Sequence, residues 1–391
     1  MFTALLQPEV QTFIRQHQND DVTKLALQKN PFPQLPLPEI LNQIAARQKA
    51  KDKLPTWFNT EGVLYPSRIS VEQTSSEIAA KYKAALVSGS SLIDLTGGFG
   101  IDDFYFSKKL QRVAHCELNL ELSAIAKHNF DVLGAQNIQC IPGDSYEALT
   151  TLNEQWDWLY IDPSRRNDAK GKVFMLADCL PNVPELLNFY FGFTKNIMIK
   201  TAPLLDISAG LSELHSVKAI HIVAVNNEVK ELLWILEKGF KSAPMLVAAD
   251  LTRDGKKIFE SQYAQDSIPT LSHPKKYLYE PNSAIMKSGT FSAVGNHYNL
   301  TKLHLHSQLF TADESIDFPG RRFEIQHVLP YSKPEMRQYI EGKKMNITVR
   351  NFPLKTEELQ KKWKIKDGGD VYTFFTTNKE GEKTVLICRK V

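Results

Sequence analysis

Short apolar runs recur through the first half of the chain and alternate with segments of helical spacing. Leu92, Ile93 and Leu95 form one such run; Val113 to Glu117, Ile138 to Ile141, Trp156 to Ile161 and Asn196 to Ile199 form the others. Runs this short, bounded by turn residues, suit strands buried on both faces. Between them, Ile101 to Leu110 and Leu118 to Leu133 carry helical periodicity, the latter with Leu122, Ile125 and Phe130 inward and Gly134 as its stop. Strands alternating with helices at this spacing predict an α/β fold with a doubly wound parallel sheet. Ligands bind such sheets at the carboxyl ends of the strands, where Asp94, Glu117, Asp144, Asp162 and Lys200 all fall.

The flanking regions read differently. Residues 1–70 are predicted helical over Glu9 to His17 and Glu39 to Lys51, with a break at Pro31 to Pro38 (PFPQLPLP). The second helix ends in Arg47, Lys49, Lys51 and Lys53, read as a solvated face. Thr74 to Glu77 (TSSE) fits a capping box opening a helix through Ile78, Tyr82 and Leu86. Beyond Lys200 the pattern predicts a helix at Ile207 to Leu214 and strands at Ala219 to Val225 and Met245 to Ala249, closing the sheet with antiparallel strands. Val229 to Leu236 fits either period. From about Ile268 the chain turns polar and proline-punctuated, a domain boundary. Leu303 to Phe310 and Phe323 to Val328 then read as strands, and Ser332, Pro334 and Glu335 as a second capping box. A strand at Ile347 to Arg350, a helix at Thr356 to Trp363 and a hairpin of Val371 to Thr377 with Thr384 to Arg389 complete a βαβαββ module.

Charge sharpens that division. Residues 321–391 hold 16 Lys and Arg against 9 Asp and Glu, or +7, whereas the first 320 hold 31 against 35, or −4. A basic terminal module beside a mildly acidic body points to a polyanion partner, set against a merely solvated basic surface. The four cysteines, Cys116, Cys140, Cys179 and Cys388, form no C-x-x-C pair, which argues against a zinc ribbon or disulfide scaffold and for a reducing compartment. No signal-peptide pattern opens the chain, and no apolar run approaches the ~18 residues of a membrane span. A cytoplasmic protein without membrane or metal partners is the expectation.

The candidate chemistry centres on Ser91 to Glu117. Gly97, Gly98 and Gly100 follow the first strand at once, so the backbone can turn tightly against a ligand. Glu117, 19 residues after Gly98, ends the second strand where a carboxylate can accept from ribose hydroxyls. The spacing is D-x-x-G-G-x-G rather than the dinucleotide G-x-G-x-x-G, so alone it indicates only a nucleotide-type site.

With these residues in place, the chain resembles a class I S-adenosylmethionine-dependent methyltransferase of the bacterial family that carries a ferredoxin-like insert and a C-terminal THUMP-like domain. Asp94 to Gly100 matches motif I, with Thr96 where many members have their first glycine; Asp162, Pro163, Ser164 and Arg165 match motif IV in position. Tyr279 to Gly289 (YEPNSAIMKSG) and Val328 to Ser332 (VLPYS) are similar to the THUMP-like family. The resemblance implies a Rossmann-like doubly wound methyltransferase sheet over 71–267, after the N-terminal helical region (1–70). It further implies a linker or ferredoxin-like insert (268–320) and a small, basic α+β THUMP-like domain (321–391) that binds RNA. It implies S-adenosyl-L-methionine as cofactor, held by Asp94, Thr96, Gly97, Gly98, Gly100, Glu117, Leu118, Asp144, Ser145 and Asp162. Glu117 would take the ribose and Asp144 the adenine amino group. Methyl transfer is implied at Asp162, Pro163, Ser164, Arg165 and Lys200, with RNA as acceptor.

The target atom stays open. Base amino methyltransferases carry an aromatic after Asp-Pro-Pro, and here Ser164 and Arg165 depart from that pattern. Arg165 and Arg166 could hold a phosphate or pair with carboxylates. Ribose 2′-O methylation would use a Lys-Asp-Lys-Glu set, for which Lys81 or Lys83, Asp162, Lys200 and Glu228 or Glu231 stand in order. Carbon-5 pyrimidine methylation needs a nucleophilic cysteine at the fourth or fifth strand end, and Cys179 lies 17 residues past Asp162. A small-molecule or protein methyltransferase, or a binding protein without catalysis, are the competing readings.

Overall fold

The computed structural model describes residues 2–165, 175–263 and 269–391. The chain divides into two compact units, Met1–Lys218 with Leu232–Lys241, and Ala219–Glu231 with Ser242–Val391.

The first unit is built on parallel strands β1 (Ser91–Asp94), β2 (Arg112–Glu117), β3 (Ile138–Pro142) and β4 (Trp156–Ile161). A two-residue ribbon follows, β5 (Ser164–Arg165) against β6 (Cys179–Leu180). Strand β7 (Thr194–Thr201) then lies parallel to β4, giving the order β7-β4-β1-β2-β3. After β8 (Val217–Val225), β9 (Glu228–Glu237) places Leu232–Glu237 antiparallel to β7, so the ambiguous Val229 to Leu236 segment is strand. Its helices bury one face. Ile101–Ser107 and Leu120–Val132 set Phe104, Phe106, Ile125 and Phe130 into a core shared with Ile40, Ile44 and Trp57 of the N-terminal region. Trp57 packs edge-on against Phe104 at 4.8 Å.

Two local expectations are refined here. The helix after TSSE begins at Glu77 with Ser76 as its cap, and the Ser76 hydroxyl accepts from Ala79 N–H. Glu77 therefore occupies the first helical position instead of closing a capping box. It is buried, and its carboxylate accepts from Thr56 N–H, the Thr56 hydroxyl at 2.9 Å and the Tyr105 hydroxyl at 2.7 Å. The basic end of helix Leu37–Lys53 ties the region to itself: Arg47 donates to Phe58 O, Lys49 pairs with Glu72, and Lys53 donates to Val71 O.

In the second unit, Ala219–Val225 of β8 lies parallel to β10 (Met245–Thr252), which pairs antiparallel with β11 (Gly255–Gln262). A separate seven-stranded sheet contains β12 (Tyr277–Pro281), β13 (Thr301–Lys302), β14 (Phe310–Ala312), β15 (Gly320–Pro330), β16 (Asn346–Val349), β17 (Val371–Thr377) and β18 (Lys383–Lys390). Its order is β13-β14-β12-β15-β18-β17-β16. Residues 320–390 follow the expected strand–helix–strand–helix–hairpin sequence, with helices Lys333–Tyr339 and Thr356–Trp363. Leu303 to Phe310, expected as a strand, is instead a turn: Leu303 N–H donates to Leu309 O, and Gln308 is left-handed at φ +54°. Leucines at alternating positions imitate strand periodicity there while the chain reverses. Ser332 precedes its helix, but its side chain makes no capping bond.

Candidate active site

The site grows from the end of β1. Asp94 is 2% exposed, and its Oδ1 accepts from Thr96 N–H at 2.7 Å and the Thr96 hydroxyl at 3.1 Å. The same hydroxyl oxygen accepts from Asp162 N–H at 2.7 Å, so threonine ties the ends of β1 and β4 together. A glycine here would lack that link. Gly97 N–H donates to Cys116 O and Gly98 N–H to Glu117 Oε2, both at 2.8 Å, which fastens the turn to the end of β2. Two glycines are required by what they approach. A Cβ on Gly97 would stand 2.3 Å from the His115 ring; one on Gly100, at φ +78°, would stand 2.3 Å from Phe130.

Beneath the turn lies a buried polar cluster that motif reading did not find. Asp103 Oδ2 is 2.6 Å from His115 Nδ1, and both side chains are fully buried. Burial, reinforced by the neighbouring carboxylates, holds Asp94 and Asp103 well above the usual carboxylate range; burial also lowers His115, against the pull of Asp94 and Glu117. Asp102 behaves oppositely. Burial works to raise it, but Lys83 and Lys200 nearby and the bond from Tyr160 outweigh that and hold it low. Lys83 Nζ is 3.0 Å from Asp102 Oδ1, and Asp102 Oδ2 accepts from Ser75 Oγ at 2.9 Å and Tyr160 Oη at 2.8 Å. The sequence held one hint. A second and third acid, Asp102 and Asp103, follow the glycine turn at once, in the first turn of a helix where negative charge is favoured.

Above this floor opens a cavity of about 800 Å³. Asp94, Thr96, Gly97, Gly98, Gly100, Glu117, Leu118, Asp144, Ser145, Asp162, Ser164 and Lys200 all line it, so the structure gathers most of the expected positions into one concavity. Pro163 is buried and is not among the lining residues. Arg165 is described by its backbone, paired with Cys179 in the ribbon, and Arg166 lies outside the described residues. Residues not anticipated also line it, among them Ser70, Gln73 to Ser75, Asp102, Tyr146, Asn182, Glu185 and Tyr190. Lys81, by contrast, is largely exposed beside Glu77.

The donor and acceptor set suits a nucleoside-type cofactor. Glu117 accepts from Gly98 N–H with Oε2 and from Asn119 N–H with Oε1 at 2.7 Å, which aims the carboxylate while leaving a lone pair on each oxygen. Asp144 caps helix Ser145–Leu152 through Oδ1, accepting from Tyr146 and Glu147 N–H, so Oδ2 can meet a donor. Lys200 donates to Asp162 Oδ2, a contact that fixes the Asp162 carboxylate at the cavity wall. Among the described residues no group of three or more His, Cys, Asp or Glu is arranged to hold a metal ion, and no helix is long and apolar enough to cross a membrane.

Comparison with known proteins gives this geometry a family. A crystal structure described as a "putative methyltransferase" from Porphyromonas gingivalis W83 is 30% identical, with 98% of each chain covered and a TM-score of 0.88. The THUMP domain-like family matches residues 320–390, and a ferredoxin-like domain family matches 277–319. The chain belongs to this methyltransferase family. The Rossmann-like sheet of the first unit lies within the part of the chain that aligns with that relative. An rRNA methylase from Streptococcus thermophilus is 14% identical, over 42% of this chain and 95% of that one, at TM-score 0.30. The Pyrococcus abyssi tRNA (uracil-54, C5)-methyltransferase, in complex with S-adenosyl-L-homocysteine, is 15% identical over 45% and 40%, also at 0.30. These two are likenesses only and carry no conclusion. No curated protein matches significantly.

Proposed function

We propose that the chain transfers a methyl group from S-adenosylmethionine to RNA, using the cavity at the carboxyl ends of β1, β2, β3, β4 and β7. The supporting observation is the convergence of Asp94, Glu117, Asp144 and the Asp162–Lys200 pair on one concavity of suitable size, roughly within the ~300–1,000 Å³ range of cofactor sites. The bound cofactor supplies an activated methyl and its own leaving group, so the protein has mainly to align, desolvate and receive a proton.

Each residue then has a bounded task. Glu117 holds the ribose hydroxyls through its spare lone pairs, Asp144 Oδ2 meets the adenine amino group, and Leu118, largely exposed, covers the base. The Gly97–Gly98 backbone passes beneath the methionyl portion, with Thr96 keeping Asp162 in register. Asp162 faces the acceptor, and its carboxylate accepts from the nucleophile's N–H or O–H; Lys200 donates to that carboxylate and orients it. Ser164 lies beside it on the cavity wall, and Pro163 stiffens the backbone between them. RNA as acceptor is supported by the +7 balance of residues 321–391. In the 2′-O alternative, Lys83 would have to act as a base, but it is fully buried on Asp102.

The test has two arms. Calorimetry with S-adenosylhomocysteine should show binding, and nucleoside mass spectrometry of ribosomal and transfer RNA from a deletion strain should show one methylated nucleoside missing. An unchanged nucleoside profile, with methyl transfer to protein or small metabolites instead, would overturn RNA as the acceptor. Absence of any cofactor heat would overturn the whole reading.

A further inference from the structure

We propose that Arg321 and Arg350, held around Glu280 in the second unit, form an oxyanion site that takes a phosphate of the nucleic-acid backbone. This rests on the RNA reading above and locates where in the C-terminal module the contact is made. Glu280 ends up buried, with its side chain 4% exposed, because β12 pairs with β15 and sets Glu280 opposite Arg321. Arg321 Nε donates to Glu280 Oε2 at 2.5 Å, and its Nη2 contacts the same oxygen. Arg350 Nη2 donates to Oε1 at 2.7 Å. One buried carboxylate needs one guanidinium for neutrality; here it has two, leaving a surplus positive charge.

The surplus is presented rather than concealed. The two side chains are 38% and 36% exposed. Of its five N–H donors, Arg321 uses three, toward Glu280 and the Thr348 hydroxyl; Arg350 spends one on Glu280 and one on Val349 O. Arg321 also stacks over Phe323 at 5.5 Å, which fixes its plane. Paired planar forks with spare donors and fixed orientation match the tetrahedral oxygens of a phosphate diester better than a mobile lysine does.

The residue after Arg350 contacts a histidine. Asn351, next to Arg350, donates Nδ2–H to His304 Nδ1 at 2.9 Å, and His306 N–H donates to that same nitrogen at 3.1 Å. A ring nitrogen accepting a backbone N–H carries no proton, so the proton of His304 resides on Nε2. Burial, with His306, Lys383 and Lys302 adding to it, lowers His304 and favours this neutral form.

The experiment measures binding of bulk ribosomal RNA to the full chain across a salt series, for wild type, Arg321→Gln, Arg350→Gln, Arg350→Lys and Lys361→Gln on the exposed face of helix Thr356–Trp363. Losing one phosphate contact should reduce the slope of log K against log salt by ~0.7–0.9 and weaken binding about fivefold near 0.1 M salt. Both glutamine variants should show this, the lysine variant an intermediate loss, and Lys361→Gln less than about twofold. Unchanged thermal midpoint and S-adenosylhomocysteine heat show that the variants are folded. If Arg321→Gln and Arg350→Gln keep wild-type affinity and slope, the cluster is structural and the proposal falls while the RNA reading stands. If wild type binds no RNA, both fall. Wild type that binds inorganic phosphate or an acidic peptide, but not RNA, would likewise overturn the nucleic-acid assignment.

Discussion

Two regions of this molecule bury charge, and they do so with opposite balance. In the first unit, three carboxylates crowd the glycine turn: Asp94 and Asp103 remain above the usual range, while Asp102 is kept ionised by Lys83. In the second, one buried carboxylate, Glu280, serves two arginines that remain partly in solvent. The first arrangement floors a cavity whose wall acceptors, Glu117 and Asp144, suit a ligand rich in hydroxyl and amino donors. The second turns donors outward and suits an anion. Burying an ion is tolerable in either case only with a counter-charge, because desolvation costs several kcal/mol per ion. The sign left over decides which partner the surface can take.

The most damaging way to probe that contrast is Lys83→Met. It leaves Asp102 buried with its main counter-charge gone and should cost ~3–5 kcal/mol of stability, read by denaturant unfolding. A loss below about 1 kcal/mol would mean that Asp102 accepts a proton cheaply and the pair is dispensable. In the second unit, burial depresses His221 to about 4 from an ordinary 6.5. The folded state therefore binds fewer protons than the unfolded chain. Stability is present above pH 6.5 and drains by about 3 kcal/mol as pH falls from 6.5 toward 4. His221→Leu should flatten that part of the pH–stability curve; an unaltered curve would show that His221 titrates normally.

Next in size is Asp162→Ala, expected to lower methyl transfer by about 100-fold (~2.7 kcal/mol) while S-adenosylhomocysteine affinity changes by less than about threefold. Equal loss of both would make Asp162 a binding residue. Smallest is Glu117→Ala, which removes the ribose acceptor and the anchor of Gly98. Cofactor affinity should fall about tenfold (~1.4 kcal/mol) with kcat nearly unchanged at saturation. Affinity at the wild-type level would move the ribose elsewhere in the cavity.

Periodicity and strand-end chemistry made much of this protein readable in one dimension. Short apolar runs set between helical segments proved to be strands, although β3, at the sheet's edge, is only partly buried, and the acid or base closing each run falls at the sheet's carboxyl edge by topology. Asp94, Glu117, Asp144, Asp162 and Lys200 were therefore legible, as was the basic terminal module. Expectations failed where local pattern had two solutions: Leu303 to Phe310 alternates like a strand but closes a turn, and TSSE caps two residues later than its letters suggest. What only the folded chain decided are contacts between distant segments. Lys83 on Asp102, Asp103 on His115, the Thr96 hydroxyl under Asp162 N–H and Arg350 on Glu280 join residues separated by 19, 12, 66 and 70 positions. No motif in the sequence named these pairs. Each pairing is imposed by burial, since a polar group taken out of water must find whichever partner packing brings to it.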